Sequence, residues 1–430
     1  MTIKGKLLAL ALTGFTLLAT GVVSAQRHHT DTNSHTTVKT QEETPRENTK
    51  VLTEQQNTEG QDTARSAQPV AGPAAQSAPA ESPRKRFPSR MMHLWPTVAR
   101  DEGGTLLFSD SPEYVTEDGI LYQDVVQGDA RVLYYHLNQQ DTDKKVAVVL
   151  ESIADGFTAV RVTRGGYGLP NDDYLAVGKA SQIMYYGQPA TGHLYMAKNS
   201  KRLLDNTMNE MVLTPGQLIA GVYDFYTDKP LRVSVIMYPA DEDPFLFMQH
   251  AGVQPKDEMR LRGTFTQMDR VLTSEKAYDP RTDGIVYFPL ADNIYDKYRT
   301  GKDSTDGSQT TNFGNYGINY RIRIPVAPGS GKVHYYLCPL GGVYAGAVTV
   351  SLHGGRRDML QTPLGRTYFG DQTPPEPENV QKAREAGVCI LTKNAELADL
   401  GTYDADDDVE FEFSPPGASN LPVNIIMMPE

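Results

Sequence analysis

Between about Met91 and Glu430 the chain is a succession of short apolar and β-branched runs, each closed by Gly, Pro, Asn or Asp. ARVLYYHL, KVAVVLES, FTAVRVTR, LRVSVIMY, GIVYFPL, INYRIRIPV, KVHYYLC, GAVTVSL, VEFEF and PVNIIMM are of strand length, and the turn residues between them give a pattern in which helical content is low. The expected fold is all-β, built from antiparallel β-sandwiches of Ig-like or jelly-roll-like kind. Helical signals are confined to PENVQKAREAG, from Pro377 to Gly387, and the neighbourhood of Leu397.

A folded part of about 340 residues exceeds what one core usually serves. Internal similarity suggests how it divides. Gly119-Ile120-Leu121-Tyr122, a Gly-bounded turn and Ala130 to His136 match Gly317-Ile318-Asn319-Tyr320, a Gly-rich turn and Gly331 to Leu337. TAVRVTRGGYG is matched by AGAVTVSLHGGR, and KPLRVSVIMYP, closing at Pro239, by NLPVNIIMMP, closing at Pro429. The same order in both halves reads as a diverged tandem duplication, with one sandwich module over residues 91–243 and a second over 244–430.

The first residues carry Lys4 and Lys6, an apolar run from Leu7 to Val23, and Val23-Ser24-Ala25 before Gln26. This is the pattern of a signal peptide cleaved after Ala25. Residues 26–90 are rich in Thr, Gln, Glu, Ser, Ala and Pro, with Phe87 as the first aromatic, and read as a disordered linker. The expectation is an exported protein, secreted or held at the cell surface or in a periplasm, without a transmembrane anchor once the leader is removed. Cys338 and Cys389, the two cysteines, are a candidate disulfide in such a compartment. The formal net charge of −12 and the lack of a basic stripe speak against nucleic acid as a partner.

The stretch DSTDGSQTTNFGNYGINYRI, from Asp303 to Ile322, has the look of an active-site loop. Thr311, Asn315 and Tyr316 approximate the Thr-x-x-Asn-Tyr-acid context from which copper amine oxidases make a quinone, but the Thr is one residue too far away and Gly317 replaces the acid. Asp303, Asp306 and Asn312 offer oxygen ligands at a spacing that matches no known calcium loop. Asp404, Asp406, Asp407 and Asp408 are the better calcium candidates, because close carboxylates repel one another unless a cation or solvent intervenes. Calcium is thus the only cofactor the residues suggest. His93, His136, His193, His250, His334 and His353 are scattered singly, and no nucleophile elbow, zincin motif or phosphate loop is present, so no catalytic residue is assigned. Asp172, Asp173 and Asp228 read as turn formers.

SPEYVTEDGILYQDVVQGDARVLYYHLN, RGGYGLPNDDYLAVGKAS, LADNIYDKYRTGKDSTDG with NFGNYGINYRI, and FSPPGASNLPVNIIMMP resemble a group of uncharacterised secreted Firmicutes proteins. Many of these are labelled for a copper amine oxidase N-terminal-like domain, a small non-catalytic module carried beside this region. The resemblance spans about Gly104 to Glu430 and implies neither an activity nor a site residue.

These readings converge on a non-enzymatic, exported cell-envelope protein acting in adhesion, scaffolding or envelope-polymer binding. Its expected partner is a cell-wall or surface polysaccharide, or another envelope protein. The alternative is a secreted glycan-acting hydrolase whose paired carboxylates come from loops that spacing does not bring together.

Overall fold

The computed structural model describes residues 90–187, 192–340, 342–365, 368, 388–391 and 397–430. The expected signal peptide, the linker as far as residue 89 and the helix expected from Pro377 to Gly387 lie outside the described residues.

Strands of alternating or wholly apolar sequence form three sheets, one of eleven strands and two of six. The spine of the large sheet is the antiparallel pair Gly119–Asn138 and Leu218–Pro239, in register from Gly119 opposite Met237 to Leu137 opposite Leu218. Each of these strands is two apolar runs joined through a kink. Gly128 sits at φ +85°, and opposite it the register shifts between Thr227 and Leu231, which is the signature of a β-bulge. The hairpin expected after Gly119–Tyr122 is therefore a single continuous strand.

Thr158–Asn171 flanks the first half of Leu218–Pro239, and Lys144–Ser152 flanks the second. On the far side of the spine, Thr105–Ser109 runs parallel to Gly119–Asn138 and is followed by Arg262–Thr266, Arg299–Lys302 and Gln309–Asn312. One six-stranded sheet is centred on Val423–Pro429, between Val286–Leu290 and Lys332–Pro339. The other holds Val409–Phe413 between Gly346–Leu352 and Asn319–Ile322.

Phe288, Leu337, Ile425 and Met427 of the first share one core with Tyr320, Ile322, Val350 and Phe411 of the second. Ile426 and Met428, at the opposite phase of the same strand, join Met92 and Tyr287 in a smaller cluster. The run VNIIMM is apolar at nearly every position because both faces of its strand are covered.

The chain is thus predominantly β and of sandwich type, as its strand pattern implies. A division at 243/244, however, is crossed in both directions. Arg90–Leu94 and Val98–Glu102 belong to the two six-stranded sheets, whereas Arg262–Thr266, Arg299–Lys302 and Gln309–Asn312 complete the large one. Nor do the matched segments occupy equivalent places. Asn319–Ile322 and Lys332–Pro339 lie in different sheets, and Gly165 and Gly166 lie inside a strand, whereas Gly354 and Gly355 form a turn.

Those strand glycines serve a helix. Tyr174–Gly187 begins where Asp173 Oδ1 accepts the Ala176 amide at 3.1 Å, an N-cap that a turn-forming Asp supplies readily. A Cβ on Gly166 would stand 2.3 Å from the Tyr185 nitrogen, and one on Gly168 would stand 2.1 Å from the Val177 carbonyl oxygen. The helix rests directly on the strand backbone at these points. Near Leu397 the expected helix is instead the strand Ala398–Asp404, whose alternating burial pairs it with Lys332–Pro339.

Cys338 and Cys389 lie in one sheet, but Val423–Pro429, Val286–Leu290 and Arg90–Leu94 separate their strands. The expected bridge involves the Cys389 side chain, which lies outside the described residues. Among the described residues no helix is long and apolar enough to cross a membrane.

Candidate functional site

Three arrangements of polar side chains stand out. The first lies where the helix and the Val409–Phe413 sheet cover one face of the large sheet. Glu412, 3% exposed, accepts from Arg164 at 2.5 Å, from Arg357 at 2.9 Å and from Asn319 at 2.5 Å. Burial pushes its carboxyl up, and the Arg164 hydrogen bonds together with the Arg164 and Arg357 charges outweigh that and hold it below the ordinary value. Beside it, buried Arg131 grips Asp224 through two nitrogens, at 2.6 and 2.9 Å, and donates to the Met268 and Gly317 carbonyls. Tyr185 of the helix donates to Asp224 at 2.8 Å, and the Arg164 guanidinium lies 4.6 Å from the Tyr185 ring centroid. Every charge here has a protein partner, so the group acts as a clasp between sheets.

The second is a carboxyl cluster on the Asp110–Glu113 segment. Asp257 accepts from Ser111 Oγ at 2.8 Å and from the Glu113 amide at 2.9 Å. Burial, then repulsion from Asp257, pushes the Glu113 carboxyl up to about 7. Asp110 is raised well above its ordinary value, first by burial and then by Glu113, and its Oδ1 is buried without a hydrogen-bond partner. Nearby, Ser109 Oγ and His136 Nε2 are 2.8 Å apart, while His136 Nδ1 lies 2.9 Å from the Pro112 carbonyl oxygen. Both residues are completely buried.

The third is an open face. In Thr158–Asn171 the residues Thr158, Val160 and Val162 point into the core, leaving Ala159, Arg161 and Thr163 on the other side. Gly192–Met196 pairs beside it, with Tyr195 opposite Ala159 and His193 opposite Arg161. On the other flank Tyr226 stands opposite Arg161, and Asp129 lies beyond Tyr226. Tyr195 is 71% exposed, Tyr226 39%, and Phe157, at the mouth of the strand, 70%. The Arg161 guanidinium lies 6.0 Å from the Tyr226 ring centroid. Asp228 Oδ1 accepts the Ala159 amide at 2.8 Å and braces this part of the sheet. The result is a flat strip of aromatic rings with a cation between them. Its signal in the sequence is aromatic and basic residues at the outward phase of alternating strands, a pattern that matches no motif.

The Asp303 to Ile322 stretch proves to be framework. Asp303, fully buried, accepts from Arg262 at 2.8 Å and from the Thr305 amide at 2.9 Å, while Asp306 meets Lys256 at 2.7 Å. Asn312 bonds both the amide and the carbonyl of Tyr316, and Asn315, at φ +53°, accepts the Arg299 amide at 2.8 Å. Beside this loop a solvent-open depression of about 510 Å³ is lined by Lys256, Asp257, Arg260 and Asp306.

The candidate calcium ligands fan apart. Asp404 and Asp407 close a turn on one another, Asp407 lies 3.3 Å from His353, Asp406 accepts the Gly329 amide at 3.0 Å, and Asp408 pairs with Arg323. Among the described residues no three His, Cys, Asp or Glu side chains are grouped so as to hold a metal.

No family model matches the chain, and no curated protein does. Among solved structures it is similar to vicilin from Capsicum annuum, at 10% identity over 75% of this chain and 85% of that one, with a TM-score of 0.10. A likeness of that size carries no argument about fold or function.

Proposed function

We propose that this is a non-enzymatic, exported cell-envelope protein that binds an envelope polysaccharide on the face carrying Phe157, Tyr195, Arg161 and Tyr226. The observation that carries the reading is the exposure of these rings in register on neighbouring strands. Water-exposed aromatic rings on a flat sheet offer apolar faces on which sugar rings stack, whereas small-molecule enzymes favour enclosed pockets. The leader-like segment before Gln26 supports export. Adhesion or scaffolding would follow from holding such a polymer.

The test is retention of the full chain on immobilised peptidoglycan and surface polysaccharides, beside a Tyr195→Ala/Tyr226→Ala variant. Retention that falls sharply in the variant supports the reading, and no retention on any polymer of a broad panel would sink it.

The hydrolase reading has one observation in its favour, the Glu113 carboxyl held at about 7, a value suited to a general acid near neutrality. It expects new reducing ends when the chain is incubated with a polysaccharide, abolished in Glu113→Gln.

A further inference from the structure

The arginines at the sheet junctions are tied to carboxylates: Arg131 to Asp224, Arg164 to Glu412, Arg262 to Asp303, and Arg270 to Asp101 and Asp296. Arg161 is different. It is exposed, and among the described residues it makes no hydrogen bond and no ion pair. Its guanidinium lies 6.0 Å from the Tyr226 ring centroid, a contact that orients the group without neutralising it. His193 lies directly across from it on the edge strand.

Among the described residues no acid of this face forms an ion pair with Arg161. Asp129 is on the far side of Tyr226, and the Asp228 carboxylate is engaged by the Ala159 amide. The strip is therefore polar along its length. One end presents the Phe157 and Tyr195 rings, with Asp228 at the Ala159 amide and the Asp155–Lys198 pair beside them, and about two residues further along the strand, roughly 7 Å, comes a guanidinium with no carboxylate partner among the described residues. A guanidinium without a carboxylate partner among the described residues, set between aromatic rings on a chain of net charge −12, makes a face fitted to a partner of opposite sign.

We infer that this face is selective for an anionic polysaccharide, one bearing a carboxylate or phosphate on the unit that lies over Arg161 while a neighbouring unit stacks on Tyr195. This rests on the polymer-binding reading above. The planar guanidinium fork takes a carboxylate or phosphate through two parallel hydrogen bonds, and the ring beneath it fixes its plane. Acids such as Asp129 at the far rim repel the same ligand and set its direction across the strands.

Binding of the full chain is measured to polygalacturonate, to the same polymer after carboxyl reduction to a neutral glycan, and to polyglycerol phosphate, using wild type, Arg161→Gln and Tyr195→Ala. Wild type is expected to bind at least one anionic polymer roughly tenfold more tightly than the neutral one, and Arg161→Gln to remove that preference while keeping residual neutral binding. Tyr195→Ala is expected to weaken all of them, and melting temperatures should stay at the wild-type value because both side chains face water. Preference for polygalacturonate or for polyglycerol phosphate identifies the anion as carboxylate or phosphate. Equal binding of charged and neutral polymers, or an anionic preference that survives Arg161→Gln, overturns the inference and leaves polymer binding standing. No binding to any of the three overturns the inference along with this face's claim to a ligand.

Discussion

Glu412 is held by side chains that come together only in the folded chain: Arg164 lies 248 residues away in sequence and Asn319 lies 93. Replacing it with Ala leaves the half-buried Arg164 guanidinium without its carboxylate and frees the exposed Arg357, and we expect a loss of about 3 kcal/mol in urea unfolding. Because its folded carboxyl is depressed, its contribution is present above about pH 4.5 and disappears as pH falls through the folded value. Glu113 has the opposite sign. Its carboxyl keeps its proton up to about pH 7 in the fold but ionises near 4.5 when unfolded, so it costs stability as pH rises through that window. Glu113→Gln is expected to add on the order of 2 kcal/mol at pH 8 and almost nothing at pH 4, read from urea midpoints at the two values. The residues that spacing brings forward, Asp404 to Asp408, are conspicuous because they are contiguous. Glu412 has no such signal, since its partners are set by strand pairing and not by any local pattern.

The strands were legible as elements because alternation and turn residues are local properties, and Thr158–Asn171 shows both what this captures and where it stops. FTAVRV alternates cleanly, but GGYG reads equally well as a turn or as a flat track for a helix. The distinction lies in Tyr174–Gly187, whose backbone takes the space that side chains would fill. Gly168→Ala is expected to lift the helix from the strand and lower stability by roughly 1–3 kcal/mol, with amide exchange along residues 174–187 accelerating more than in the distant Val423–Pro429 strand. Gly128→Ala, at a φ of +85° with open space around its Cβ position, is expected to cost about 1 kcal/mol through backbone strain alone.

At the scale of the whole molecule, two large apolar cores stand out among the described residues, one around the Gly119–Asn138 and Leu218–Pro239 pair and one between the six-stranded sheets. Periodicity reveals that there is enough strand for two cores. It does not reveal which strand joins which, because pairing partners are chosen by long-range burial. Arg262–Thr266 extends the large sheet while Arg90–Leu94 and Val98–Glu102 join the six-stranded ones, and Trp95, Leu106 and Phe108 enter the second core, so the sheets draw strands from both halves of the chain. Residues 91–243 expressed alone are expected to lack cooperative unfolding by circular dichroism. The described part of the intact chain should melt in a single calorimetric transition, and two well-separated transitions would contradict the exchange of strands.

Arg90–Leu94 follows directly on the N-terminal segment and runs parallel to Val286–Leu290, with His93 and Trp95 donating to the Ile285 and Tyr287 carbonyls. Tension entering through the N-terminal segment while a bound polymer holds the body back would act along this strand. Its hydrogen bonds would then have to rupture together in shear, which resists far more than unzipping them one by one, and the pairing also to Val388–Leu391 doubles the ladder that must slip. If the proposed polymer binding holds, the first described strand would act as a mechanical anchor, its paired ladders loaded in shear.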